Sequence, residues 1–260
     1  MELPIYLPAR EEMPPSHAQT IPRHILQTFS TNTVHESIYN NVQSLLERNP
    51  EYSYIFVTDM CGVELIRAHF AEDVLHAFER LNIGAAKGDF LRYVALYVYG
   101  GVYLDLDSSI DFSLRSYIDP TREYIFFVDS GENIQQWCCM SSPKHPLILS
   151  IIQEMVKRIQ KHESNIFLAT GPTLCTDVIY NAIQHTNLYN VTRRVPRTLR
   201  GLAFTTHSFF QNGLLAKEPP GLSIRFQGYQ ESMLYNETNT KYEILQWYGP
   251  TPRFYKSTTG

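Results

Sequence analysis

The stretch Gly100-Gly101-Val102-Tyr103-Leu104-Asp105-Leu106-Asp107 joins a double glycine to a short apolar strand and two aspartates one residue apart. Strand alternation puts Val102, Leu104 and Leu106 on one face and Tyr103, Asp105 and Asp107 on the other. The first face reads as core. The second brings two carboxylates to roughly 6–7 Å apart at their Cα atoms, by the strand rise, at the end of a strand. Two ionised carboxylates this close repel unless a cation or a shared proton compensates. Oxygen ligands favour a hard divalent ion such as Mn2+ or Mg2+, and such ions commonly also hold substrate phosphates. The plain alternative is a strand end running into a polar turn at Ser108 and Ser109, with both acids solvated.

The preceding residues, 85–99, are apolar at nearly every position past Asp89, and a helix apolar all round is buried. Gly100 or Gly101 suits the left-handed residue that ends such a helix. Asp89 and Arg92 are three apart and share one face with Tyr93 and Leu96. On an apolar helix they either pair with each other or reach a polar ligand, because unpaired burial is costly. Lys87 and Gly88 weaken the helix entry, as suits backbone exposed near a pocket.

Further out, alternating patterns predict strands at 24–28, 52–58, 102–105, 124–129 and 136–141. Helices are predicted at 37–48, 62–69, 74–81, 85–99, 145–161 and 172–185. This alternation predicts an α/β fold with a mainly parallel, Rossmann-like sheet flanked by helices, with ligands beyond the carboxyl ends of the strands. At 260 residues the chain suits one large domain. A net charge of −4 without a long basic run argues against a nucleic-acid partner. Cys61, Cys138, Cys139 and Cys175 lack metal-type spacing and are expected as free thiols. No apolar leader or membrane-spanning run is visible, so a soluble, cytoplasmic protein is expected.

The run Ala86-Lys87-Gly88-Asp89-Phe90-Leu91-Arg92-Tyr93, then Leu96-Tyr97, then the Gly-Gly and Asp-x-Asp segment resembles the core of the DXD-containing sugar transferases of glycosyltransferase family 32. Gly88 departs from the pattern, which usually has Ser. Segments 21–29, 49–54, 143–148 and Thr170-Gly171-Pro172 resemble the family's outer motifs in the right order, so the likeness covers about residues 21–185. Residues 190–260 match poorly.

The resemblance implies a GT-A fold: a single domain at 21–250, a flexible arm or strap at 1–20 and a loose tail at 251–260. It implies a metal-dependent, retaining transferase that moves a sugar from a nucleotide-sugar donor to a glycan, lipid or protein acceptor. Asp89, Arg92, Asp105 and Asp107 are the expected catalytic residues. Gln27, Thr28, Phe29 and Tyr103 join Asp89, Arg92 and Asp105 as expected donor-binding residues, with Phe29 stacking on the base. Asp105 and Asp107 are the expected ligands of Mn2+ or Mg2+. The third ligand stays open between His207 and Gln246. UDP-sugars and GDP-mannose both occur near this pattern, with a UDP-sugar slightly favoured. Anchored relatives imply a soluble bacterial or viral form, or a piece cut from a membrane-anchored protein.

Two other classes share part of the signal. Strand-Asp-x-Asp-Ser also resembles the nucleophile motif of aspartate-dependent phosphatases, although no adjacent acidic pair follows residue 107. A noncatalytic sugar-binding module would need neither Asp89 nor Arg92. Asp129, Glu132 and Asp177 read as structural or acceptor-binding acids rather than nucleophiles.

Overall fold

The computed structural model describes residues 1–13, 19–118, 122–128 and 133–184, with short strands at 203–204, 213–216 and 222–223. The elements run β1 (Tyr6–Leu7), β2 (His24–Phe29), α1 (Glu36–Arg48), β3 (Ser53–Thr58), α2 (Asp59–His69), α3 (Glu72–Arg80) and α4 (Gly84–Tyr99). There follow β4 (Gly101–Leu104), β5 (Ser109–Ile110), α5 (Leu114–Tyr117), β6 (Tyr124–Val128), β7 (Ile134–Ser141), α6 (Pro146–Gln160), α7 (Ile166–Ala169) and α8 (Pro172–Gln184). The later strands are β8 (Ala203–Phe204), β9 (Gly213–Ala216) and β10 (Leu222–Ser223).

Eight strands form one sheet in the order β1-β3-β2-β4-β7-β6-β9-β8, and β10 pairs with β5. Alternation along the strands divides the apolar side chains between two cores. Leu26 and Tyr103 face α2, α3, α4, α6 and α8 with Phe90, Val94, Ile148 and Ile151. Ile25, Val102, Leu104 and Leu106 face α1 with Val42 and Leu45. Val102, Leu104 and Leu106 therefore share the apolar face that alternation assigns them.

The α/β class is as expected, but the sheet is mixed rather than mainly parallel. β2 runs parallel to β3 and to β4, and β6 parallel to β9. β7 is antiparallel to both β4 and β6, and β1 to β3. Chain length explains the reversal: the segment 129–133 is too short for a parallel crossover, which needs about a dozen residues.

The opening residues, read from sequence as a flexible arm or a strap, are tied to the sheet edge. Leu3 is buried, its N–H donates to the Asn32 carbonyl, and Phe56 donates to the carbonyl of Ile5. The apolar Leu3 fills a place in the α1-side core, which holds the strap down. The domain end at 250 and the tail at 251–260 lie outside the described residues. No helix among the described residues is long and apolar enough to cross a membrane.

The double glycine joins α4 to β4. Gly100 has φ 63° and Gly101 φ 119°, where an L side chain is strained. A Cβ on Gly101 would also lie 2.5 Å from the carbonyl oxygen of His24. Glycine here lets β4 lie against β2 and fixes where the acids that follow emerge.

Candidate active site

β2 and β4 are parallel neighbours, so their carboxyl ends open on one edge of the sheet. Thr28 and Phe29 end β2, Asp105 follows β4, and α4, packed over β2, carries Asp89 and Arg92. The strand stops at Leu104. Asp105 and Asp107 lie on a turn closed by the Ser108 N–H donating to the Asp105 carbonyl at 2.9 Å. The Asp105 N–H continues the ladder by donating to the Trp137 carbonyl at 2.7 Å.

Arg92 joins two of the acids. Its Nη1 donates to Asp89 Oδ1 and its Nη2 to Asp105 Oδ1, both at 2.7 Å. The guanidinium lies 4.9 Å from the centre of the Tyr103 ring, a geometry that favours the cation. Burial draws the Arg92 pKa down, but Asp105, Tyr103 and Asp89 outweigh it and hold the value well above the ordinary one. Among the described residues its Nε finds no partner.

A second chain of bonds reaches Asp105 from below. Tyr103 donates its phenolic proton to Asp105 Oδ1 at 2.7 Å, and its oxygen lies 3.1 Å from Thr28 Oγ1. Tyr54 donates to Gln27 Oε1 at 2.9 Å, and Gln27 Nε2 faces the Asp105 carbonyl at 3.4 Å. Gln27 and Tyr103, expected to touch the donor, are instead fully buried and brace the Asp105 backbone and carboxylate. Strand position alone places them at the sheet edge, but both faces are covered there: Tyr103 lies in the core beneath α4, and Gln27 lies on the opposite, α1-side face against Tyr54. Phe29 is half-buried and packs against the α1-side core.

Asp89 is held from three elements. Its Oδ1 accepts from Arg92 and, at 2.5 Å, from Gln136 Nε2 on β7. Its Oδ2 accepts from Thr170 Oγ1 at 3.1 Å, in the turn between α7 and α8. Burial pushes its pKa up to about 7 against the pull of Arg92, with Asp105 adding to the rise. The side chains of Asp89 and Asp105 remain 14% and 29% exposed, against 5% for Arg92. The acids are therefore the groups of this bridge that a ligand could reach, with Arg92 held behind them.

Two acids on one turn suit a hard divalent ion. Asp105 gives Oδ1 to the protein, and among the described residues nothing bonds its Oδ2, which is free to serve an ion. Asp107 is half-buried on the same turn. Ions of the Mg2+ type commonly take one or two carboxylates and complete their shell with water and substrate phosphates, which fits this donor set. No cluster of three ligating side chains exists among the described residues. His207 and Gln246, the alternatives for a third ligand, lie outside them, as do Asp129 and Glu132. Asp177 is paired with Arg158 at 3.1 Å, a structural use.

Gly88 leaves its place open. A Cβ there would meet only Thr28 Oγ1, at 3.9 Å, so the serine usual in the resembled pattern fits without a clash. Lys87 beside it pairs with Asp59 at 2.7 Å and ties the entry of α4 to the start of α2. Gln136 and Thr170 are the site residues that sequence reading missed as such. Thr170 stood within a quoted motif, but nothing local signals that its hydroxyl reaches Asp89, 81 residues away.

Residues 35–124 match the family described as "Glycosyltransferase sugar-binding region containing DXD motif". The mannosyl phosphorylinositol ceramide synthase SUR1 of Saccharomyces cerevisiae is 31% identical over 164 residues, 61% of this chain and 41% of that protein. Inositol phosphoceramide mannosyltransferase 2 of Schizosaccharomyces pombe is 31% identical over 160 residues, 58% of this chain and 44% of that protein. The chain thus spans about two-fifths of the length of these relatives. Among solved structures, PaToxG glycosyltransferase shares the fold with a TM-score of 0.54 and 17% identity, covering 65% of this chain and 71% of that one.

Proposed function

We propose that this chain, whose residues 35–124 match the DXD-containing sugar-binding region of glycosyltransferases, transfers a sugar from a nucleotide-sugar donor to an acceptor hydroxyl. The observation that carries this reading is the Asp89–Arg92–Asp105 bridge at the carboxyl edge of the sheet. It buries one guanidinium and draws two carboxylates largely out of water, a desolvation cost that is put to use if the partly exposed carboxylates are aimed at a ligand.

The residues divide the work. Asp89 accepts hydrogen bonds from the donor sugar's hydroxyls. Arg92, with both terminal nitrogens engaged, sets the angle between Asp89 and Asp105. Tyr103 and Thr28 brace Asp105 from below. Asp105 and Asp107 would hold the divalent ion, Mn2+ or Mg2+, whose chemistry is to stabilise charge on the departing diphosphate as a Lewis acid. The acceptor oxygen bonds to the anomeric carbon as the bond from that carbon to the phosphate oxygen breaks. The acceptor proton passes to the departing phosphate, so attack and departure share one face and configuration is retained.

The relatives' names support one choice of sugar. Several are named mannosyltransferases, which weighs toward GDP-mannose over the UDP-sugar slightly favoured from the sequence. The same names favour a glycolipid acceptor, ahead of a glycan or protein. The phosphatase alternative loses ground, because residues 35–124 match a sugar-transferase family and no adjacent acidic pair follows residue 107.

Asp107→Asn tests the ion. Removing one charged ligand should slow donor hydrolysis and transfer by about two orders of magnitude or more, and a chelator should do the same to the unaltered protein. Near-normal turnover in Asp107→Asn, or full activity in the chelator, would contradict the assignment.

A further inference from the structure

The turn Thr170-Gly171-Pro172 and the β7 residue Gln136 have no role in the chemistry as described, yet both converge on Asp89. Thr170 is fully buried and Gln136 nearly so. Thr170 Oγ1 lies 3.1 Å from Asp89 Oδ2 and 3.5 Å from the Ile166 carbonyl, so the carboxylate is its nearer acceptor. Gln136 Nε2 donates to Asp89 Oδ1, and its Oε1 accepts from the Tyr93 hydroxyl at 3.3 Å. Which way the Gln136 amide faces follows from this pairing, since only its nitrogen can donate to a carboxylate.

The turn is shaped for this contact. The N–H groups of Thr170 and Gly171 both donate to the Ile166 carbonyl, at 3.0 and 2.9 Å. A Cβ on Gly171 would lie 2.7 Å from the Cα of Phe167, so only glycine closes the turn this tightly. Pro172 then begins α8. α8 is itself tied to β7, where Thr176 Oγ1 accepts from the Ile134 N–H at 2.9 Å. The two donors to Asp89 therefore sit on elements linked to each other.

With Arg92, the Asp89 carboxylate receives three hydrogen bonds, from α4, from β7 and from the α7–α8 turn. A carboxylate offers about four acceptor sites, so three bonds leave room for a ligand at the 14% of the side chain still exposed. Coming from separate elements, the three also fix its rotation and so the angle at which it meets that ligand. We propose that Gln136 and Thr170 are positioning residues for recognition of the donor's sugar, acting through Asp89. This rests on the donor-binding role given to Asp89 above. It carries a specific signature: the sugar, and not the nucleotide, loses affinity when either donor is removed.

The test compares a nucleotide sugar with its free nucleoside diphosphate by calorimetric titration in Mn2+, using GDP-mannose with GDP and UDP-glucose with UDP. Thr170→Val should weaken the nucleotide sugar about tenfold or more, the worth of one hydrogen bond to a charged group. The diphosphate's affinity should stay within about twofold, and Thr170→Ser should restore the original value. Gln136→Met, which keeps the length and loses the donor, should behave like Thr170→Val and gives a second route if the valine variant does not fold. Equal weakening of sugar and diphosphate, or no weakening in either folded variant, overturns the proposal while leaving the transferase reading intact. An unaltered protein that binds neither a nucleotide sugar nor a nucleoside diphosphate overturns both.

Discussion

Arg92 holds two carboxylates with the two arms of one guanidinium while almost wholly buried. From sequence, an acid and an arginine three residues apart on an apolar helix left two uses open, a structural pair or a ligand contact. The structure joins them: the pair is buried and structural, and it aims the acids left partly exposed. Arg92→Ala would strand Asp89 and Asp105 together without a counter-charge. Breaking a buried pair in this way costs about 3–5 kcal/mol, and urea unfolding should register a loss of that order. A loss below about 1 kcal/mol would show that solvent already screens both acids. Arg92 and Asp89 were legible as a pair because helix spacing is local. Gln136 and Thr170 were not, because the tertiary fold brings them to Asp89 from 47 and 81 residues away. The burial of Gln27 and Tyr103 was hidden for a related reason: period-two alternation tells which face a side chain takes, not whether a helix covers that face.

Among the elements, helix α6 shows how one titratable group can govern a helix start. His145 is its N-cap: Nδ1 accepts from the Leu147 N–H at 3.2 Å, which requires the neutral ring with its proton on Nε2. Burial lowers its pKa to about 4. Glu123 faces Nε2 at 3.5 Å without a hydrogen bond, and Tyr124 meets the ring edge-on. The folded value lies below the ordinary 6.5, so the unfolded chain takes the proton first as pH falls. Stability from this group is complete above about pH 6.5 and is lost as pH drops toward 4. Between pH 7 and pH 5 that amounts to about 2 kcal/mol. Asn is a good N-cap that does not titrate in this range, so His145→Asn should be less stable by no more than about 1 kcal/mol at pH 7 and should gain on the unaltered protein at pH 5. A difference between the two proteins that stays constant with pH would contradict this account. Comparing them at each pH cancels the opposite trend from Asp89 and Glu123, whose pKa values burial raises.

At the scale of the whole molecule, the five strands and six helices expected between residues 24 and 184 fall within three residues of those observed, read from hydrophobic period, glycine placement and Pro172. The short β5, α5 and α7 gave too few residues to show a period. Sheet direction was less so. The short 129–133 link carries the information that β6 and β7 reverse, but alternation of strand and helix types alone suggests parallel pairing. At the amino end the proline-rich composition left an arm or a strap open, and buried Leu3 with a series of backbone bonds makes it a strap on the sheet edge. The candidate site sits where the topology brings the carboxyl ends of β2 and β4 under α4, and its chemistry follows from the acids gathered there. The central claim is that these acids bind a nucleotide sugar with a divalent ion. Ligands that bind only the folded state raise its melting temperature by mass action, so thermal unfolding with GDP-mannose, UDP-galactose, UDP-glucose and UDP-N-acetylglucosamine, each with and without Mn2+, tests it most directly. The account predicts a rise with at least one nucleotide sugar, GDP-mannose foremost, that needs Mn2+ and disappears in Asp105→Asn. No rise with any of the four, or an equal rise without the metal and in the variant, would contradict it.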